Sequence, residues 1–324
     1  MRQTDAPVSP HASPRLGYLL AASAATMWAL NGSLARFLLD DDVPALRLAQ
    51  LRSLLSFAIL AAVVAAMRPA LLRIEREDVP RLAFLGIAGL ALVHATYFIA
   101  IDRLQIGVAL TIQYLGPLLI LLWLRIFHRR RLRAGLWGAA GLSVAGCFLV
   151  VRGYDVEALD ALGVAAAFGA AVTFALAMVG GERAGRRYEP VTTLVWAFGF
   201  ASLFWAVVQP PWLFPFESFQ SLRNVALGLG VTVIGTLVPF VCMVAAVRHI
   251  PSPRAAVVAT LEPVLAAAIA FFVHDESLSA PQITGGLLVV AAVIWVQSQR
   301  GTHDAEAAPE QMSRERGEVA AMKA

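Results

Sequence analysis

Glu262 stands near the middle of an apolar stretch, residues 254–277, immediately before Pro263. A carboxylate at bilayer depth costs about 2.5–3.5 kcal/mol on insertion scales, so it faces the bundle interior or a watery cavity. Pro263 has no N–H to donate, so the carbonyl of Ala259 loses its helical partner and the helix bends or loosens there. Irregular backbone at membrane depth is tolerated only inside protein or along a cavity. Glu262 and Pro263 are therefore the expected working centre of a transport path.

Arg52 lies inside another apolar stretch. It can hold a substrate carboxylate bidentately, pair with Glu262, or snorkel to an interface. Burial favours a neutral carboxyl and a nearby guanidinium an ionised one. Glu262 is thus either a proton-binding coupling site or an electrostatic lock. His94, with Thr96 and Tyr97 close behind, is a candidate for a proton relay or substrate contact. Trp28 and Asn31 are three residues apart, on one helical face. Gln113 and Tyr114 precede Pro117, which frees the carbonyl of Gln113. For these polar residues the plainer role is interhelical hydrogen bonding, worth roughly 0.6 kcal/mol each. The sequence contains no nucleophile elbow, H-E-x-x-H motif, P-loop or metal-ligand cluster. No cofactor or metal is expected. The competing function is a membrane-embedded enzyme acting on a lipid or lipophilic substrate, with Glu262 and His94 as acid and base.

The elements that position these residues follow from composition. Of 324 residues, 59% are hydrophobic and 15% charged, against about 45–50% and about 25% in soluble domains. Mean hydropathy is +0.70. The fold class is an all-α polytopic membrane protein. The formal charge of +4 does not point to nucleic acid, because the arginines sit in short loops between apolar stretches. Cys147 and Cys242 lie within apolar stretches and read as small buried hydrophobes. The first apolar run outlasts a signal peptide and is expected to remain as a helix.

Ten spans of the length that a core of about 30 Å requires fall at 17–39, 44–66, 81–101, 105–125, 133–151, 160–181, 190–208, 223–246, 254–273 and 278–298. Arginines mark one side: Arg68, Arg73, Arg76 and Arg81; Arg125, Arg129, Arg130, Arg131 and Arg133; Arg183, Arg186 and Arg187. The opposite loops carry acids, among them Asp41, Asp160, Asp275 and Glu276. Both termini are expected in the cytoplasm and the protein in the inner membrane. Residues 1–16 form a polar N-terminal tail, and 299–324 a charged, disordered C-terminal tail. Trp212, Phe214, Pro215 and Phe216 form an aromatic exterior loop expected at the membrane interface.

The chain also repeats itself. Shifted by 146 residues, Gly17, Ala21, Ala24, Ala25 and Ala29 match Gly163, Ala167, Ala170, Ala171 and Ala175. Pro44 matches Pro190, and Leu115, Pro117 and Leu119 match Leu261, Pro263 and Leu265. Five spans per copy is an odd number, so the second copy, 160–298, enters the membrane inverted relative to the first, 17–151. Glu262 aligns with Gly116 and Arg52 with Phe198, so neither charge is a requirement of the repeated packing. Gly135, Gly138, Gly141 and Ala145 on one span, and Gly285 and Gly286 on another, are expected to let helices approach closely.

The run L-E-P-V-L-A at 261–266, followed by Glu276, Leu278 and the pair Gly285 and Gly286, resembles the C-terminal part of the EamA domain of the drug/metabolite transporter superfamily. Y-L-G-P-L-L at 114–119 resembles its counterpart in the first half. The first copy departs from the pattern: Arg130 stands where the second copy has Glu276. The resemblance implies a ten-helix secondary carrier of small metabolites working by alternating access, often an exporter of amino acids or related compounds. The expected partners are a small-molecule substrate and the lipid bilayer, with protons as the coupling ion if burial rather than Arg52 sets the state of Glu262.

Overall fold

The computed structural model describes residues 13–104, 106–127, 132–154, 160–274 and 278–298. Among them every regular element is helical. The loops around Arg129 and Asp275, residues 1–12 and residues 299–324 lie outside the described residues, while the last residues of the tail expected over 1–16 already belong to the first helix, which starts at Pro14. The first half comprises α1 (Pro14–Asp40), α2 (Ala45–Met67), α3 (Val79–Phe84), α4 (Leu92–Arg103), α5 (Ile106–Gln113), α6 (Gly116–Ile126) and α7 (Ala134–Val150). The second comprises α8 (Ala161–Gly185), α9 (Pro190–Val208), α10 (Leu222–Thr232), α11 (Val238–His249), α12 (Ser252–Ala259), α13 (Leu261–His274) and α14 (Ala280–Ser298). A π-helical segment, Leu85–Ala91, joins α3 to α4, and another, Val233–Leu237, joins α10 to α11.

Among the described residues, eight stretches are long and apolar enough to cross a membrane. The other two expected spans fall on α1 and on α7, a shorter apolar helix. Local chemistry sets several starts. Asp160 caps α8 by accepting from Gly163 N at 2.7 Å, and Ser221 caps α10 by accepting from Asn224 N at 3.1 Å. Pro190 opens α9 at its first position, where a missing N–H costs nothing.

The element bounds recur at the offset seen in the sequence. α5 and α12, and likewise α4 and α11, are each 146 residues apart at both ends. Packing is reciprocal as well: α8 packs on α4, α5 and α6, while α1 packs on α11, α12 and α13. α2 pairs with α9, and α7 with α14. The matched alanines explain this. Ala21, Ala24, Ala25 and Ala29 on α1 are buried, as are Ala167, Ala170, Ala171 and Ala175 on α8. In lipid, helices associate through close van der Waals contact, which small side chains permit.

The glycines follow this rule with corrections. A Cβ on Gly285 would meet Gly146 O at 2.6 Å, and one on Gly138 would meet Trp295 at 2.5 Å, so α7 and α14 approach through these residues. The partner of Gly285 is Gly146, which the small-residue stripe omitted. Gly141 has open space where a Cβ would stand, and Gly286 has ordinary clearance of 3.4 Å, so neither is a close-approach residue. The aromatic loop is exposed at Trp212 and Phe216, and Phe214 packs against Phe216 and Phe219.

Candidate functional site

The two proline breaks frame the site. The helix stops at Gln113 and resumes at Gly116 beside Pro117; it stops at Ala259 and resumes at Leu261 beside Pro263. Restarting there places Glu262 in the first turn of α13. The exposed N–H groups and dipole of a helix start favour a carboxylate. The Tyr114 hydroxyl, from the opposite break, hydrogen-bonds Glu262. Cys147 on α7 lies in the electrostatic range of Glu262, with its Sγ 3.8 Å from Thr260 O.

Arg52 comes to this cluster from α2. It is 6% exposed, which rules out snorkelling to an interface. Its Nε donates to Thr236 Oγ1 at 2.6 Å, and Nη2 donates to Gly235 O at 3.1 Å. Both acceptors lie in the π segment before α11. Pro239, four residues after Gly235, has no N–H to give that carbonyl. A guanidinium carries five N–H donors, and these two contacts leave donors for an anion. Arg52 and Glu262 feel one another electrostatically, but among the described residues they form no direct ion pair.

His94 and Tyr97 on α4 complete the cluster. Tyr97 lies within electrostatic range of both Arg52 and Glu262, and His94 within range of Arg52. His94 Nδ1 is 2.7 Å from Leu90 O, an acceptor, so Nδ1 carries the proton and the other ring nitrogen is left for another partner. Phe240 sits between two candidates: its ring centroid is 5.5 Å from Trp28, edge-on, and 6.2 Å from His94. Asn31 packs on Gly235, where an added Cβ would overlap its Oδ1. Asn31 Oδ1 and Gln113 Oε1 are buried with no hydrogen-bond partner among the described residues. Such orphaned acceptors call for a ligand or water.

Thus Arg52, Tyr97, Tyr114 and Glu262 form one electrostatic cluster, with His94 joined through Arg52 and Trp28 joined through Phe240. Sequence reading missed Thr236, Gly235 and Phe240. Their one signal was Pro239 inside a span, marking a freed carbonyl. It also missed Gln50, fully buried on α2, whose Nε2 donates to Gln209 O at 2.5 Å and whose Oε1 accepts from Arg47. Arg47 also donates to Pro210 O, so it ties α2 to the end of α9.

The two ends of the bundle differ. α12 packs on α6 and α8, and Glu182 near the end of α8 accepts from Ser252 N at 2.9 Å. At the other end α5 and α13 make no comparable contact among the described residues.

The EamA-like transporter family profile matches residues 15–152 and again 161–297. The chain belongs to the EamA-like transporter family. It is a multi-pass membrane protein, and the family points to a transporter of small molecules rather than an enzyme. The threonine/homoserine exporter RhtA of Escherichia coli K12 is 28% identical over 230 residues, covering 71% of this chain and 75% of RhtA. RhtA of Salmonella typhimurium SL1344 is 29% identical over 233 residues. The uncharacterized inner membrane transporter YicL of Salmonella typhimurium LT2 is 24% identical, covering 88% of this chain and 96% of YicL. A crystal structure of a protein 19% identical matches with a TM-score of 0.71, over 86% of this EamA chain and 95% of that one. At that identity the likeness speaks for the fold.

Proposed function

We propose that this EamA protein is a secondary exporter of small amino-acid-like zwitterions across the inner membrane. The observation that carries this reading is the separation of two charges within one cluster. Arg52 is held by Thr236 and Gly235, and Glu262 by Tyr114, so neither is consumed by the other. An amino acid supplies a carboxylate for Arg52 and an ammonium for Glu262. The printed activity of the RhtA relatives, threonine and homoserine export, supports both the substrate class and the direction.

Alternating access supplies the cycle. Ten spans form two inverted five-helix halves, and exchange of their conformations opens the site to each side in turn. The recurring element bounds and reciprocal packing support this architecture. By the distribution of arginines, both termini and the end where α12 packs on α6 are cytoplasmic. Glu262 binds a proton and the substrate ammonium in turn, which makes protons the coupling ion. The enzyme alternative gains nothing from the geometry: the electrostatic neighbour of His94 is Arg52, and Glu262 is held by Tyr114.

Counterflow in proteoliposomes tests the reading. Labelled threonine or homoserine should exchange against internal unlabelled substrate, while the matching amine, lacking the carboxylate, should not. Equal exchange of the amine overturns the role of Arg52.

A further inference from the structure

A concavity lies apart from the charge cluster. It has a volume of about 780 Å³ and runs between α3, α6 and α8. Its walls are apolar: Phe84 on α3, Leu122 and Ile126 on α6, Val172 and Leu176 on α8. Phe84, Leu122 and Ile126 are exposed, so the concavity is a groove on the flank of the bundle. Along α8 it extends from Val172 to Arg183, a rise of roughly 16 Å at 1.5 Å per residue. That is about half of a hydrocarbon core of about 30 Å, hence the depth of one leaflet.

One end of the groove is basic. Arg81, Arg183 and Arg187 line it beside a single carboxylate, Asp78. Asp78 is buried and already occupied: it accepts from Tyr188 at 2.7 Å and from Arg81 at 2.9 Å, and it forms an ion pair with Arg187 at 2.8 Å. Arg187 also binds Glu75. This contact holds the guanidinium in its charged form, and Tyr188, pushed up by burial and by its bond to Asp78, stays a donor. Asp78 therefore serves as an anchor for the rim rather than as a charge facing outward. The Arg81 side chain is 78% exposed and reaches Asp78 through Nη1, which leaves other N–H donors.

The repeat shows that this chemistry is not demanded by the fold. At the offset of 146 residues, Arg81, Arg183 and Arg187 correspond to Leu227, Phe37 and Asp41. At these positions the other half has no cation and one acid, Asp41, and the arginine that reaches this corner, Arg223, is paired with that acid at 2.6 Å. An apolar slot one leaflet deep, ending in guanidinium groups, matches an acyl chain joined to a phosphate. Arginine forks bind phosphate bidentately, and basic pockets between helices on the cytoplasmic side take anionic headgroups.

We propose that this groove is a binding site for one anionic glycerophospholipid of the cytoplasmic leaflet. The assignment of the leaflet rests on the orientation given above; the binding itself does not. Native mass spectrometry of the purified full chain, with phosphatidylglycerol and phosphatidylcholine at equal concentrations, reads the preference. The chain should retain one phosphatidylglycerol in excess over phosphatidylcholine. Arg81→Gln removes an exposed cation, and the preference should fall about fivefold, as about 1 kcal/mol per basic residue requires. Val172→Trp fills the slot, and retention of phosphatidylglycerol should be lost while the thermal transition is kept. Glycerol phosphate added in excess should not displace the lipid, because it lacks the acyl chain. Equal retention of the two lipids, a preference unchanged by Arg81→Gln, or displacement by glycerol phosphate overturns the proposal. Counterflow activity is measured separately, so a failure of the transport reading is distinguishable from a failure of this one.

Discussion

The two broken spans share a backbone and differ in chemistry. α5 and α6 are interrupted before Pro117, α12 and α13 before Pro263, at equivalent points 146 residues apart. In both, proline removes an N–H and a helix restarts. The side chains then diverge. Gln113, Tyr114 and Gly116 in the first break stand where the second has Ala259, Thr260 and Glu262. Gly116 has its own reason: a Cβ there would meet Phe174 Cδ1 at 2.7 Å. The Tyr114 hydroxyl reaches across to Glu262, whereas the Thr260 hydroxyl bonds Val257 O at 2.6 Å within its own turn. The break belongs to the repeated fold. The charge and its donor are not repeated, and one comes from each half.

The sharpest way to break this comparison is to remove the charge. Glu262→Gln keeps size and hydrogen bonding but neither titrates nor attracts an ammonium. Loss of a charged hydrogen bond, about 1.5–3 kcal/mol, weakens apparent affinity by roughly ten- to hundredfold. Accumulation driven by a pH gradient should vanish while exchange at high substrate persists in part. Normal gradient-driven accumulation by this variant would return Glu262 to a structural role. In the other break, Gly116→Ala should act on stability instead. Overpacking against Phe174 costs about 1 kcal/mol or more, visible as a lowered thermal transition in detergent. An unchanged transition would mean that the Phe174 ring yields freely.

Smaller effects separate the two hydroxyls. Tyr114→Phe removes the donor to Glu262, worth about 1 kcal/mol, so the half-saturating substrate concentration in counterflow should rise about fivefold. Thr260→Val removes a bond local to its turn, worth about 0.6 kcal/mol, and should leave that concentration unchanged. A similar kinetic shift for both variants would erase the distinction between the breaks. Orientation is tested separately with single cysteines near Arg129 and near Asp275, in a background without Cys147 and Cys242. An impermeant thiol reagent applied outside should label the second and spare the first; equal labelling defeats the assigned topology.

The membrane class, most of the apolar spans, the duplication of the family unit and both proline breaks were legible in the chain. Each is written in local or periodic features: apolar length, arginine placement, a constant offset, a missing N–H. Glu262 was legible for the same reason, since one charge in an apolar run is costly wherever the run packs. The partner of Arg52 was not. Three destinations were chemically equivalent in sequence, and the choice of Thr236 and Gly235 required α2 to meet a π segment more than 180 residues away. The π segments themselves left no mark in hydrophobic periodicity, because apolar residues fill both windings equally. The small-residue stripe gave the right helices and the wrong glycines: Gly141 faces open space and Gly146 meets Gly285. Composition sets how closely two helices can approach, but the crossing point depends on their relative rotation and tilt, which packing against all their neighbours determines.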